Sequence, residues 1–283
     1  MIKKIVAFGD STVYGKETTQ DLIPEDELKQ AQKRIFGYSG ELKIEDRQSH
    51  SKVKEWFNFL KSLHDDYNAK CNELSFVGQL GKLLDVPYQN FSFPGYSNVA
   101  VMSSIVKNMK YIDDNTLVIV GITFPWRYTR FHEHGHIEVT INPVNKYNVS
   151  TKDLIKWEEF SAKFGDDVLT RIYYVVQHSL AVQQLLKNNQ VLLIDAMGYY
   201  RDVEDNLRYL MFEHSCHHMT DINFIQKFFD DNMVPFSLES IFEVLNRASP
   251  NRYSKKLYGH HGMAINELYA KHLVSYLKDK NWI

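Results

Sequence analysis

Ile5-Val6-Ala7-Phe8-Gly9-Asp10-Ser11-Thr12-Val13-Tyr14-Gly15 begins as a short apolar run of strand formers and breaks at Gly-Asp-Ser. The run predicts a buried strand whose carboxyl end delivers Ser11 to the mouth of a sheet. There the hydroxyl is expected to be exposed, with backbone N–H groups nearby that hold a developing oxyanion. Asp10 and Ser11 also read as ordinary turn residues or helix N-caps at a strand end. The tripeptide alone favours the turn or cap reading, and the case for a nucleophile passes to the rest of the chain.

Downstream, strand and helix signals alternate. Leu74 to Leu84 has helical spacing, Val86 to Phe93 reads as a second strand, and Ser97 stands as a cap before a helix over Val99 to Met109. Leu117-Val118-Ile119-Val120-Gly121-Ile122-Thr123 is apolar without interruption, as in a parallel strand covered on both faces. Val191 to Ile194 repeats that character, and Ala264 to Leu277 is a last amphipathic helix. Long helical stretches are expected over Leu154 to Lys187 and Arg201 to Asp231, with a shorter one over Ser237 to Leu245. The alternation predicts a mostly parallel sheet of the α/β class in one domain. Lys16 to Asn72 departs from the alternation. It is highly charged, carries a helix start at Pro24-Glu25-Asp26-Glu27 and helical spacing over Val53 to Leu63, and is expected to be a helical insertion. It leaves directly from the serine loop, so a lid stands beside a simple packing role.

Composition excludes several function classes. The 283 residues are 44% hydrophobic and 24% charged, an ordinary globular balance. A formal net charge of -2 gives no electrostatic case for nucleic acid. No apolar window reaches the length of a membrane span, and no signal segment is evident, so a cytoplasmic location is expected. Cys71 and Cys216 lie far apart and suggest neither a disulfide framework nor a metal pair. No phosphate loop or dinucleotide fingerprint is present, and no cofactor is expected.

Four separated segments then share one pattern. They are Phe8-Gly9-Asp10-Ser11 with Gly15, Asn90 through Gly95 with Ser97-Asn98, Val120-Gly121-Ile122-Thr123, and Gly259-His260-His261-Gly262 with Asn266, Glu267 and Ala270. On these the chain resembles the SGNH (GDSL-type) hydrolase superfamily, and within it a branch found in tailed phages, where glycine-x-threonine is followed by an arginine, here Arg127. The resemblance implies a flavodoxin-like three-layer α/β/α fold and a serine-dependent acyl hydrolase acting on a carboxylic ester, with a small molecule or an acylated carbohydrate as substrate. It implies Ser11 as nucleophile, a C-terminal histidine as base, and oxyanion donors among Ser11, Gly95, Thr123 and Asn98. Counting back from Ala270 favours His260 over His261 as the base. Asp10, Arg127 and Tyr14 are candidate substrate contacts. Arg127 fits a carboxylate or phosphate clamp or an ion pair equally well, and Tyr14 and Trp126 fit core packing as well as pocket lining.

Two positions depart from the family pattern. Tyr258 and Leu257 stand where an orienting aspartate is usual, leaving Asp195 as a distant candidate. Thr123 stands where the family has asparagine. These departures carry the rival reading, a catalytically weakened scaffold serving as a binding or virion-associated structural protein. A metal-dependent hydrolase is a third reading. His132-Glu133-His134-Gly135-His136 has the letters of a zinc motif, but that motif needs a helix and this stretch alternates like a hairpin. His214, Cys216, His217 and His218 form a second cluster that reads as a solvated helix face. No metal site is expected.

Overall fold

Buried β-formers in four short runs build the sheet. The computed structural model of the chain describes residues 2–16, 18–39, 50–123, 127–132, 135–140, 168–195, 200, 219–248 and 261–283. Its strands are β1 (Lys4–Phe8), β2 (Tyr88–Asn90), β3 (Thr116–Gly121), β4 (Arg127–His132), β5 (Gly135–Thr140) and β6 (Gln190–Ile194). Four of them form one sheet in the order β2-β1-β3-β6, with every pairing parallel. Met233 extends it through a parallel bridge to Leu193. β4 and β5 form a separate antiparallel hairpin.

The helices are α1 (Ser11–Tyr14), α2 (Glu25–Phe36), α3 (His50–Ser62), α4 (Tyr67–Leu74), α5 (Phe76–Leu84), α6 (Asn98–Asn108), α7 (Val168–Leu185), α8 (Met219–Asn232), α9 (Leu238–Ala248) and α10 (Met263–Asp279). Side chains alternate between the sheet's faces along each strand. Ile5, Ala7, Leu117, Ile119, Leu192 and Ile194 pack with α5, α9 and α10. Val6, Phe8, Val118, Val120 and Leu193 pack with α6, α7 and α8 on the other side. The result is the expected three-layer α/β/α arrangement. With β1 and β3 central, the chain departs in opposite directions from their carboxyl ends, the place where such sheets leave a crevice.

α2, α3 and α4 carry an apolar cluster of their own, built on Ile35, Phe36, Trp56, Leu60, Tyr67 and Cys71. Trp56 is fully buried between the rings of Phe36 and Phe59, at centroid distances of 5.9 and 5.4 Å.

Some boundaries differ from those expected. The helix expected over Leu74 to Leu84 is broken at Ser75, which closes α4 and caps α5. Its Oγ donates to the Asn72 carbonyl at 2.7 Å and accepts from Gly78 N–H at 3.2 Å. The second strand shortens to Tyr88–Asn90, yet Phe91 and Phe93 still donate N–H groups to the carbonyls of Ala7 and Gly9. The hairpin expected around His132 to His136 begins at Arg127, which pairs with Thr140. His132 and His136 therefore lie on strands, and the helical geometry of the zinc motif is absent there. Trp126, His214, Cys216, His217, His218, Tyr258 and His260 lie outside the described residues. Among the described residues no helix is long and apolar enough to cross a membrane, and no group of three or more His, Cys, Asp or Glu side chains is arranged to hold a metal ion.

Candidate active site

The serine turn is seated on two glycines. A Cβ on Gly9 would lie 2.4 Å from Val13 Cγ2, and one on Gly121 2.3 Å from the same atom. Real side chains do not approach that closely, so Val13 packs down onto the ends of β1 and β3 only because both positions are glycine. This draws α1 onto the sheet and leaves Ser11 6% exposed. The hydroxyl expected to be exposed is therefore on a residue that close packing has buried. Asp10 caps α1, its Oδ1 accepting from Thr12 N–H at 2.9 Å. Gly15 ends the helix at φ +80°.

A buried polar network ties this turn to the ends of the neighbouring strands. Thr123, two residues past β3, donates its hydroxyl to Asp10 Oδ2 at 3.1 Å. Asn98, the first residue of α6, grips the Thr123 backbone at both ends. Its Oδ1 accepts from Thr123 N–H at 3.0 Å, and its Nδ2 donates to the Thr123 carbonyl at 2.9 Å. That carbonyl also accepts from the Tyr200 hydroxyl at 2.8 Å. The Tyr200 N–H in turn donates to Asp195 Oδ2, just beyond β6. Thr123 and Asn98, expected as oxyanion donors, thus hold each other and Asp10, while Asn98 Nδ2 keeps a second proton. Asp195, considered as an orienting acid, reaches Tyr200. Tyr200 is a fully buried member of this network that no sequence signal announced.

The loop after β2 runs beside the serine turn. The Phe93 N–H donates to the Gly9 carbonyl at 3.1 Å, two residues before Ser11. Asn90 Nδ2 donates to the Val13 carbonyl at 2.9 Å. Gly95 follows at φ +92° with open space where a Cβ would stand. Tyr14, a candidate substrate contact, donates its hydroxyl to Asn68 Oδ1 on α4. Burial, then the Cys71 thiol and the Asp66 carboxylate, pushes that hydroxyl above the ordinary tyrosine range. Arg127 is the first residue of β4.

The histidine turn lies at the start of α10. Asn266 Nδ2 donates to the carbonyls of His261 and Gly262 at 3.1 and 3.0 Å, and its Oδ1 accepts from Phe76 N–H at 3.0 Å. Asp21, in the 3-10 turn that follows the serine helix, accepts from Met263 N–H. The serine turn packs onto the same α5 terminus, because a Cβ on Gly15 would meet Ser75 Cβ at 2.6 Å. Both turns therefore converge on the N-terminus of α5. The His261 side chain is 1% exposed, its Nε2 lies 3.1 Å from Glu239 Oε2, and the edge of Phe242 closes on its ring at 5.7 Å. Glu239 stands in the first turn of α9, a common place for an acid, so its sequence neighbours gave no sign of a functional role.

No family model and no curated protein matches the chain. Solved structures do resemble it at low identity. A member of the lipolytic protein G-D-S-L family from Veillonella parvula DSM 2008 matches at 10% identity and a TM-score of 0.44, over 96% of this chain and 97% of that one. A carbohydrate esterase matches at 12% identity and a TM-score of 0.42, over 98% and 68%. An acetyl xylan esterase from the rumen bacterium Butyrivibrio proteoclasticus matches at 12% identity and a TM-score of 0.39, over 99% of this chain and 65% of that one.

Proposed function

We propose that the chain is a serine-dependent ester hydrolase with Ser11 as nucleophile and a base from the His260-His261 pair. The observation that carries this reading is the convergence of the serine turn and the histidine turn on the α5 N-terminus at the carboxyl end of the sheet. In the reaction the histidine takes the Ser11 proton as Oγ attacks the ester carbonyl. The N–H groups of Ser11 and Gly95, with the second Nδ2 proton of Asn98, hold the tetrahedral oxyanion. The protonated histidine then gives its proton to the leaving alcohol, and a water activated by the same base releases the acyl group. Asp10 and Thr123 keep the serine turn in register through the reaction.

His260 remains the preferred base by its spacing from Ala270. The substrate class is a carboxylic ester of a small molecule or carbohydrate, with a short acyl group such as acetyl first. Gly121-Ile122-Thr123 followed by Arg127 supports kinship with the tailed-phage branch, and Arg127 is assigned to an anionic part of the substrate. The 16–72 segment is read as an insertion beside the core, and the protein as cytoplasmic.

The test is labelling with a fluorophosphonate probe alongside hydrolysis of p-nitrophenyl acetate, on wild type, Ser11→Ala, His260→Ala and His261→Ala. Loss of both signals with Ser11→Ala and with one histidine variant supports the reading and names the base. A folded wild type that neither labels nor turns over refutes it in favour of a binding scaffold. Turnover that survives Ser11→Ala removes Ser11 as nucleophile.

A further inference from the structure

We infer that Glu239 is the acid that positions the histidine pair, a role resting on the hydrolase reading above. The family's usual aspartate is replaced by Tyr258 and Leu257, so no carboxylate precedes the histidines at that spacing. Glu239 comes from a different helix. Its Oε2 lies 3.1 Å from His261 Nε2, and Phe242, one turn further along α9, meets the ring edge at an interplanar angle of 65°. Residues three apart share one helix face, so α9 presents a carboxylate and an aromatic edge as a two-point grip on the imidazole.

The carboxylate is an acceptor, which puts the proton of the neutral ring on Nε2 and leaves Nδ1 as the lone-pair nitrogen. Nδ1 is buried and has no hydrogen-bond partner among the described residues. The same residue is held through its backbone, because its carbonyl accepts from Asn266 Nδ2. His261 is thus clamped at both ring and main chain, and His260 is one peptide bond away. Glu239 acts as a positioning residue: it fixes the ring of His261 in one tautomer and, through it, the segment that carries both candidate bases.

The experiment compares wild type, Glu239→Ala, Glu239→Gln and Ser11→Ala for p-nitrophenyl acetate turnover, thermal unfolding and the nitrogen-15 spectrum of labelled histidines. Glu239→Ala is expected to lower kcat by about a hundredfold, the size of a misplaced catalytic group, with KM within about twofold. His261 should lose its single Nε2-protonated signature. Glu239→Gln, which still offers an acceptor oxygen, should restore the tautomer and most of kcat while remaining folded where the alanine variant is unstable. A folded Glu239→Ala or Glu239→Gln with wild-type kcat and a mixed tautomer overturns the proposal and leaves the hydrolase standing. So does a kcat loss that only tracks the unfolded fraction. A wild type as inert as Ser11→Ala overturns the hydrolase reading and this role with it, and the tautomer change then reports a purely structural pair.

Discussion

The serine turn and the histidine turn meet at one helix terminus but are held in different ways. Around Ser11 the partners are strand ends of one sheet and the first residue of α6. Gly9 and Gly121 seat Val13, Asp10 caps its own helix, and Thr123 and Asn98 close the network from the adjacent crossings. Around His261 the partners are side chains from separate helices: Glu239 and Phe242 on α9 and Asn266 one turn into α10. A turn built on strand ends inherits the rigidity of the sheet, whose central strands are buried throughout except at Lys4. A turn built from helix side chains depends on how those helices pack. The contrast teaches that close glycine packing at strand ends seats the serine turn, while side chains from separate helices hold the histidine turn.

Gly15→Ala should do the most damage to the serine turn. A Cβ there would lie 2.6 Å from Ser75 Cβ and 2.7 Å from the Cys71 carbonyl, at a backbone angle of +80°. The expected loss is about 3 kcal/mol from overpacking and left-handed backbone strain. A urea midpoint equal to wild type would show that the turn is not seated on α5.

Asn266→Ala strips two hydrogen bonds from the histidine turn and one from the Phe76 N–H of α5, and should cost about 2 kcal/mol, because buried backbone groups lose a partner. Amide hydrogen exchange should quicken at the start of α10 while Thr12 and Tyr14 stay protected. Equal acceleration at both turns would make them one cooperative unit and dissolve the contrast.

Thr123→Val keeps the shape of the side chain and removes the donor to Asp10 Oδ2. About 1 kcal/mol of stability should be lost, with a fall in kcat from a loosened serine turn. An unchanged kcat would mean that the cap from Asp10 to Thr12 suffices alone.

The smallest effect lies outside both turns. Lys70 and Lys82 hydrogen-bond Glu73, between α4 and α5, and hold its carboxyl at about 2 against an ordinary value of 4.5. Because the folded value is the lower one, the contribution is complete above about pH 4.5 and fades as pH falls to about 2. The group is 38% exposed, so solvent screens the pair and the effect is small. Glu73→Gln should flatten that acid limb slightly in chemical unfolding measured at pH 5 and pH 2.5. An unaltered limb would mean that the carboxyl is not held below its ordinary value.

The serine turn was largely legible from sequence. Short-range signals carried it: an apolar run, a break at Gly-Asp-Ser and a Ser97 cap on the helix beside it, all confirmed in position. What sequence missed there was closeness. Nothing in the letters of Gly9, Val13 and Gly121 shows that one methyl group fills the space of two absent side chains, and so burial of Ser11 was not foreseen. Ser75 was missed as a break because the apolar spacing runs through it, while its hydroxyl bonds decide the cap.

The main strands and their parallel character followed from hydrophobic period and turn chemistry, which are local and act within a few residues, while the three-layer arrangement was what the family resemblance implied. The pairing of Glu239 with His261, the grip of Asn98 on Thr123 and the reach of Tyr200 across to the same carbonyl were decided by tertiary structure. Each joins residues 22 to 77 positions apart. Such contacts arise only when separate elements have packed, and no local preference of either residue encodes the meeting.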